Sequence, residues 1–424
     1  MVVLMIVCFI VGYIIIATEH LVKVNKAATA LVTGILCWTI YILATEDKQH
    51  VVEELTSHLG ELSGILFFLL GAMTLVELID AYHGFDIITS RITQTNKRKL
   101  LWVISFITFF LSPVLDNLTT TIVMISLTRK LVKDPTDRLH FAGMIVIAAN
   151  AGGAWSPIGD VTTTMLWIGN QISASAIIVK IFLPSLLCML IPLAWVTTRL
   201  HGQVSKVDTV TPTNNFLSKK HQYIVFFSGV LILILVPVFK SITHLPPYMG
   251  ILLGLGILWI ITEILHGDLD TSDKEVLSVA HALRKIDAPS ILFFLGILVS
   301  IAALQVTGVL DNLAGWMNGT LRSDNIIVVS LGVLSAIVDN VPLVAATQGM
   351  YDLSQYPTDH SFWHFLAYST GTGGSALIIG SAAGVAAMGM EKITFFWYLK
   401  FMTLPALAGF LSGAGLYILQ QLIL

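Results

Sequence analysis

Two stretches of the chain, Leu111-Ser-Pro-Val-Leu-Asp116-Asn117-Leu-Thr-Thr-Thr121 and Leu334-Ser-Ala-Ile-Val-Asp339-Asn340-Val-Pro-Leu-Val344, each place an Asp-Asn pair inside an otherwise apolar run. A carboxylate at membrane depth costs several kcal/mol unless it faces a cavity, a partner or an ion. Packing alone gives no reason to repeat so costly a pair at matching places in two halves of a chain. The repetition therefore predicts a two-part ion-binding site.

The composition indicates an all-α polytopic membrane protein. The 424 residues are 55% hydrophobic and only 12% charged, whereas soluble domains carry about 25% charged residues. Apolar runs long enough to cross a bilayer of roughly 30 Å recur along the chain, and the first of them, Val2–Ala17, is predicted to be a spanning helix. We predict membrane lipid and no nucleic acid as partner. The three cysteines, Cys8, Cys37 and Cys188, lie in apolar segments and are interpreted as buried hydrophobic residues.

The charges of the loops predict how the Asp116 segment lies in the membrane. Both loops that flank it are basic; they carry Arg91, Lys97, Arg98 and Lys99 on one side and Arg129, Lys130, Lys133 and Arg138 on the other. A single crossing would place one of these loops outside, against the positive-inside rule. A re-entrant hairpin with its tip at Ser112 to Asn117 resolves the conflict, because arms of about 12 residues reach only about 18 Å.

The Asp339 segment is predicted to be a second hairpin that enters from the outside. Its flanking loops contain a single basic residue, Arg322. Pro113 and Pro342, one in each hairpin, are expected to help break the helices there. The scheme has ten crossings and two hairpins, with both termini outside. Of the 23 Lys and Arg residues, only four then lie outside: Lys48, Lys180, Lys240 and Arg322.

Three blocks of sequence recur in the same order and indicate an inverted repeat. They lie 226, 223 and 221 residues apart: Ser63-Gly-Ile-Leu-Phe-Phe-Leu69 with Pro289-Ser-Ile-Leu-Phe-Phe-Leu295, Asp116-Asn117 with Asp339-Asn340, and Ala151-Gly-Gly-Ala-Trp-Ser-Pro-Ile-Gly-Asp160 with Thr372-Gly-Gly-Ser-Ala-Leu-Ile-Ile-Gly-Ser381. We predict a first repeat over 1–198, with hairpin 100–130 and broken helix 141–171. A cytoplasmic linker over 199–221 and a second repeat over 222–424, with hairpin 326–350 and broken helix 362–388, follow. Paired discontinuous segments of this kind indicate a transporter site near the midplane.

The third block predicts two helices that are interrupted inside the membrane. Asn150, a Gly-Gly pair, a Ser-Pro pair and a further Gly all weaken a helix within one span, and unwound carbonyls can coordinate Na⁺. Asp160 adds a third intramembrane carboxylate; its counterpart is Ser381, so the site should be asymmetric in charge. A close helix–helix contact would explain the glycines equally well, but it does not explain Asn150 together with Asp160.

The candidate ion- and proton-binding residues are the polar side chains of these four segments. They are Asp116, Asn117, Thr119, Thr120, Asn150, Ser156, Asp160, Thr162, Thr163, Ser335, Asp339, Asn340, Thr370, Thr372 and Ser375. Among them we expect Asp116, Asn117, Asn150 and Asp160 to coordinate Na⁺. A structural alternative has the aspartates only capping the helices that follow. Glu61 and Glu77 are possible accessory residues, although each could be an ordinary interfacial charge.

The Leu-Asp-Asn-Leu-Thr-Thr and Asn-Ala-Gly-Gly-Ala-Trp-Ser-Pro-Ile-Gly-Asp blocks resemble those of the NhaD-type sodium/proton antiporters of the ion transporter superfamily. The resemblance covers nearly the whole chain. It implies a homodimeric elevator-type transporter that exchanges Na⁺ or Li⁺ for H⁺ across a bacterial inner membrane in pH homeostasis, with these ions as substrates and no cofactor. Relatives that carry dicarboxylates have Ser-Asn-Thr at the tips, whereas Asp116 and Asp339 should repel an anion.

Two other functions remain open from the sequence. One is transport of another substrate of the superfamily, a carboxylate or arsenite. The other is an intramembrane aspartyl protease, in which two carboxylates would share a proton. Asp160 lies in Pro-Ile-Gly-Asp, which lacks the first Gly of the Gly-x-Gly-Asp pattern of those enzymes. We expect the chain not to be an enzyme.

Overall fold

The computed structural model describes residues 1–89, 92, 94–204, 218–265 and 271–423. These residues form α-helices and no β-strand. The helices of the first half are α1 Val2–Ala17, α2 Glu19–Val22, α3 Lys26–Ala44, α4 Lys48–Ala81, α5 Asp86–Thr89, α6 Lys97–Leu115, α7 Asn117–Leu131, α8 Pro135–Gly153, α9 Val161–Ile168 and α10 Ala174–Thr197. Most of the predicted linker 199–221, with Lys206, lies outside the described residues, as does Arg91.

The second half repeats this order of long and short helices. Its helices are α11 Lys219–Thr243, α12 Pro247–Leu265, α13 Thr271–Val276, α14 Val279–Lys285, α15 Ala288–Val306, α16 Val309–Leu321, α17 Asp324–Leu334, α18 Asn340–Met350, α19 Ser361–Gly373, α20 Ala382–Glu391, α21 Phe395–Phe401 and α22 Thr403–Ile423. Within the described residues, eight helices are long and apolar enough to span a membrane. The chain is a multi-pass membrane protein.

The helices pack as two copies of one arrangement. α3 of the first copy packs against α15 of the second copy. The counterpart of α3 in the second copy is α12, and it packs against α4, which is the counterpart of α15. Each copy therefore makes the same contact with the other. Likewise, α7 packs against α20 and α18 packs against α9. The predicted inverted repeat is therefore confirmed, and the second arm of each hairpin lies against the broken helix of the other copy.

Ion pairs show that both ends of the first hairpin, α6 and α7, lie at one face. Lys97 Nζ at the start of α6 lies 2.6 Å from Asp137 Oδ2 at the start of α8. Arg129 Nε near the end of α7 lies 2.6 Å from Glu391 Oε1, and Arg138 Nε of α8 lies 3.0 Å from Glu391 Oε2. The face defined by these residues is called the basic face below.

The second hairpin, α17 and α18, has both ends at the opposite face. Tyr356, just beyond α18, donates to Asp324 Oδ1 at the start of α17 over 2.9 Å. The Asp359 backbone N–H donates to the Gln171 carbonyl, just past α9, over 2.8 Å. Because α8 and α9 form one broken crossing that starts at the basic face, Gln171 lies on the other side. The two hairpins thus enter from opposite faces, as predicted.

The hairpin tips differ from the predicted ones in detail. The first arm is longer than about 12 residues: α6 continues through Pro113 to Leu115, and Asp116 alone makes the turn. Its φ of 75° is a backbone conformation that L-residues seldom adopt. Pro342 lies in the first turn of α18, where a missing N–H costs nothing. Contrary to the expectation from the sequence, the prolines therefore do not break the helices.

The broken helices are interrupted at 154–160 and 377–381, within the predicted spans 141–171 and 362–388. Equivalent glycines make equivalent close contacts. A Cβ on Gly152 would clash with the Phe109 carbonyl oxygen, and one on Gly373 would clash with the Gly332 carbonyl oxygen in the same way. Each Gly-Gly pair thus serves close packing of the broken helix on the first arm of its hairpin.

These contacts predict the effect of one added methyl group. Gly373→Ala should lower the Tm of the purified protein, because overpacking at a backbone contact costs about 1–3 kcal/mol. Gly389→Ala, in α20, is the matched control: a Cβ there would have nothing within 4 Å, so the Tm should be unchanged or raised. Equal Tm values for the two variants would contradict the assigned contact.

Candidate functional site

Four helix N-termini converge on the centre of the molecule. Their N-cap residues are Asp116 for α7, Asp160 for α9, Asp339 for α18 and Ser381 for α20, and each side chain accepts a backbone N–H of its helix. Asp and Ser favour this position because their oxygens satisfy free N–H groups of the first turn. The capping role considered for the aspartates is thus present, and it is combined with a shared polar centre.

Asp160 is the centre of this cluster. Its carboxylate accepts three hydrogen bonds: from Asn117 Nδ2 at 2.9 Å, from Asn340 Nδ2 at 3.2 Å and from the Thr162 backbone N–H at 3.0 Å. Asn117 and Asn340 are the first residues after the two hairpin tips, so both hairpins meet on one carboxylate. The Asp160 side chain comes from the broken helix of the first repeat.

Asn150 connects this carboxylate to the second repeat. Its Oδ1 accepts Asn117 Nδ2 at 3.0 Å, and its Nδ2 donates to the hydroxyls of Ser375 and Ser381 at 2.9 Å each. Asn150 is fully buried. One polar network therefore joins both hairpins and both broken helices.

Among the residues that the structure describes, the charge of Asp160 has no cationic partner. The residue is only 2% exposed, its hydrogen-bond donors are two amides and one backbone N–H, and it forms no ion pair with a described Lys, Arg or His. A buried carboxylate is costly unless its charge is neutralised. A proton or a small cation could supply that neutralisation.

Asp116 and Asp339 flank this centre without joining its hydrogen bonds. Asp116 accepts both the backbone N–H and the hydroxyl of Thr119, at 2.8 and 3.0 Å. Asp339 accepts the Val341 N–H at 3.3 Å and faces Lys26. Both are near enough to interact electrostatically with Asp160. The structure thus brings the three predicted carboxylates together.

Apart from Thr119 and Ser375, whose side-chain partners are Asp116 and Asn150, the predicted hydroxyl residues fall into two groups. The Thr120 and Thr162 side chains are buried and have no hydrogen-bond partner in the described chain, which is rare for buried polar groups and leaves their oxygens free for an ion or water. The others bond to backbone carbonyls: Ser156 to Pro113, Thr163 to Asp160, Ser335 to Thr370, Thr370 to Leu366 and Thr372 to Tyr368. These five hydroxyl hydrogens are thus engaged with the backbone, and a role of these residues in ion binding stays a prediction.

Cavities reach the site from the basic face. One of about 410 Å³ is lined by Glu77 and Lys285 at its mouth and by Thr119 at the first hairpin tip. Another of about 290 Å³ is lined by Lys26 and Asp339. Glu77 is paired with Lys285 at 3.5 Å.

The opposite face has a vestibule of about 690 Å³, lined by Glu61, Gln171 and Gln348. Glu61 is largely exposed and lies 3.9 Å from His58 Nδ1. It is therefore separate from the buried centre.

Sequence reasoning misses two residues of the site. Ser381 stands out in the sequence only as the counterpart of Asp160, although that correspondence already places it at the cap of α20. Lys26 belongs to a basic loop, and no local pattern indicates that it faces Asp339. Tertiary packing alone brings that pair together.

The two inverted copies and the buried polar centre at their hairpin tips define a membrane transporter. Comparison with known proteins supports this class. Residues 13–364 match the family model described as "Citrate transporter". "Sodium/proton antiporter 1" of Arabidopsis thaliana is 47% identical, over 97% of this chain and 71% of that protein. "Na(+)/H(+) antiporter NhaD" of Alkalimonas amylolytica is 31% identical, over 92% and 85%. The chain belongs to the family of NhaD-type antiporters within this transporter group.

Solved structures agree on the fold. The YdaH transporter of Alcanivorax borkumensis superposes with a TM-score of 0.54 at 14% identity, over 88% of this chain and 89% of that one. The MtrF efflux pump of Neisseria gonorrhoeae gives 0.51 at 11% identity, over 89% and 83%. The chain thus shares its fold with these two membrane transporters. Because the relatives are transporters, the protease alternative falls away and the chain is not an enzyme.

Removing the buried charge should separate ion binding from folding. In Asp160→Asn, the shape of the side chain is kept while the charge that needs neutralising is lost. We expect the Na⁺-dependent rise in Tm, which follows from preferential binding to the folded state, to disappear. Asp352→Asn, in an exposed loop, should keep it. An unchanged Na⁺ response in Asp160→Asn would exclude this carboxylate as the cation ligand.

Proposed function

We propose that this chain is a secondary antiporter that exchanges Na⁺ or Li⁺ for H⁺ and so serves pH homeostasis. The observation that carries the proposal is the buried Asp160 carboxylate, surrounded by neutral donors and lacking a cationic partner among the described residues. The names of the antiporter relatives support the same exchange.

Exchange follows from competition for one negative charge. The buried Asp160 carboxylate is stable when it holds either a proton or a cation, and binding of one disfavours the other. The amide groups of Asn117, Asn150 and Asn340 can rotate to present oxygens instead of nitrogens to a bound Na⁺. Asp116 would add a second negative oxygen to the same cation. Thr120 and Thr162, with unpaired hydroxyls, are the nearby neutral ligands we favour.

Transport of a carboxylate is the second candidate, because the matching family model is described as a citrate transporter. A carboxylate substrate would use free N–H groups at helix N-termini. Here carboxylate side chains already cap three of the four converging N-termini, at Asp116, Asp160 and Asp339. Their negative charges would repel an anion, so the cation is the favoured substrate.

We further propose that the molecule works as a homodimeric elevator. The hairpins and broken helices, which share the polar network, would move as one body against a scaffold formed by the early helices of each repeat. We propose a bacterial inner membrane, with both termini on the outer side. The bacterial relatives support this location, whereas the Arabidopsis thaliana relatives make a plant membrane the alternative.

The decisive assay follows the dissipation of a pH gradient in proteoliposomes with a pH-sensitive dye. Added Na⁺ or Li⁺ should restore fluorescence, while K⁺ and citrate should not. Asp116→Asn and Asp160→Asn should lose the response, and Asp352→Asn should keep it. A response to citrate without a response to Na⁺ would replace the antiporter by a carboxylate transporter.

A dependence on membrane potential is expected as well. With Asp116 and Asp160 next to one cation, more than one proton can be exchanged per Na⁺, so net charge moves in each cycle. A potential imposed with valinomycin and K⁺ should change the initial rate of Na⁺-driven proton movement in opposite directions for opposite signs. Initial rates that are equal at all imposed potentials would show that the exchange is electroneutral.

A further inference from the structure

Lys26 lies at the tip of the second hairpin, although it belongs to a different layer of helices. Its Nζ is 3.8 Å from Asp339 Oδ2 and 4.5 Å from the centre of the Phe293 ring. Lys26 and Asp339 line the same cavity, together with Tyr13 and Glu19. The ammonium group is thus held between a carboxylate of the hairpin and an aromatic face of α15.

A lysine at this position does not stabilise α3, so helix stability does not explain why the residue is a lysine. Lys26 is the first residue of α3, where the positive end of the helix dipole disfavours a cation. Its backbone N–H donates to Glu19 Oε1 at 3.1 Å, which fixes the start of the helix whatever the side chain. The side chain therefore has another role, and Asp339 is the charged group that it faces.

The pair is weak enough to exchange with a free cation. Its 3.8 Å separation is longer than a hydrogen bond, and the side chains are 25% and 18% exposed. Partly exposed ion pairs of this kind contribute little to stability, because water screens them. A small cation arriving through the cavity could replace the ammonium group at Asp339.

The first hairpin has no matching arrangement in the part of the chain that the structure describes. Asp116 is satisfied by Thr119 and forms no ion pair there. The helix equivalent to α3 is α12, which begins with Pro247. Of the three carboxylates of the site, only Asp339 therefore has a described lysine beside it.

We propose that Lys26 is a tethered cation that competes with the transported Na⁺ for Asp339 and thereby sets the apparent affinity of the site. The proposal rests on the proposed function. Lys26 acts through Asp339, so it is a positioning residue and does not contact the transported ion. While Lys26 is paired with Asp339, that carboxylate is unavailable to Na⁺, so the ion binds to the remaining carboxylates, Asp116 and Asp160, more weakly.

The test compares Lys26→Gln with two controls in the proteoliposome assay, after Na⁺-dependent proton movement has been established for the native protein. Lys26→Gln should lower the KM for Na⁺ at least threefold, because the competitor is gone. Lys26→Arg keeps the charge and should stay within twofold of the native KM. Lys99→Gln, which removes an exposed lysine of α6 that lines neither of the cavities at the site, should also stay within twofold.

A double-mutant cycle tests whether the effect passes through Asp339. The Na⁺ concentration for half-maximal thermal stabilisation is measured, since it needs no turnover. In an Asp339→Asn background, Lys26→Gln should leave that concentration unchanged. An unchanged or raised KM in Lys26→Gln, an equal fall in Lys99→Gln, or a persisting effect without Asp339 would overturn the role of Lys26. Absence of Na⁺-driven proton movement in the native protein would instead overturn the proposed function.

Discussion

The structure depends on one constraint, which is that the Asp160 carboxylate is buried with neutral donors alone. A charge in this environment is tolerated only when it is well hydrogen-bonded and neutralised. Both hairpins supply an amide to it, through Asn117 and Asn340, and the helix that it caps supplies a backbone N–H. The re-entrant segments bring these donors to the interior of the helix bundle. Straight crossings would fill the same depth with apolar side chains. In the proposed function, a proton or a cation would supply the neutralisation that this carboxylate needs.

The close packing around this charge explains the glycines. Helices that approach at backbone distance have no room for Cβ atoms, and the equivalent positions Gly152 and Gly373 mark the same crossing in both copies. Ser112 and Ser335 repeat this correspondence, since each donates from a hairpin to a carbonyl of the adjacent broken helix. In both broken helices, the interruption comes directly after this crossing, at a point where further glycines pack against one another. The interruption of the helix and the close packing, which could be alternatives from the sequence, are thus two aspects of one construction.

Much of this could be predicted from the sequence, because the cost of a carboxylate in a membrane and the sidedness of lysine and arginine are local signals. They indicate both hairpins, both broken helices and the three carboxylates. Local signals could not show which oxygens are already engaged: Thr370 and Thr372 bond to their own helix, while Thr120 does not. They also mislead at Pro113, which a helix near its end accommodates. The role of Lys26 could not be predicted from the sequence, because its partner lies more than 300 positions away in the chain.

The two copies share a backbone arrangement but differ in charge, and this difference makes the site asymmetric between the two repeats. Two identical hairpins would hold a cation equally from both sides. Here Asp160 is matched by Ser381, so the buried negative charge belongs to the first repeat, and the carboxylate of the second hairpin is met by Lys26. Structural symmetry provides two related ways of packing the same helices, as alternate access requires. Under the proposed exchange, this asymmetry of charge would concentrate the ion chemistry on Asp160 and Asp116, where a proton and a cation would compete.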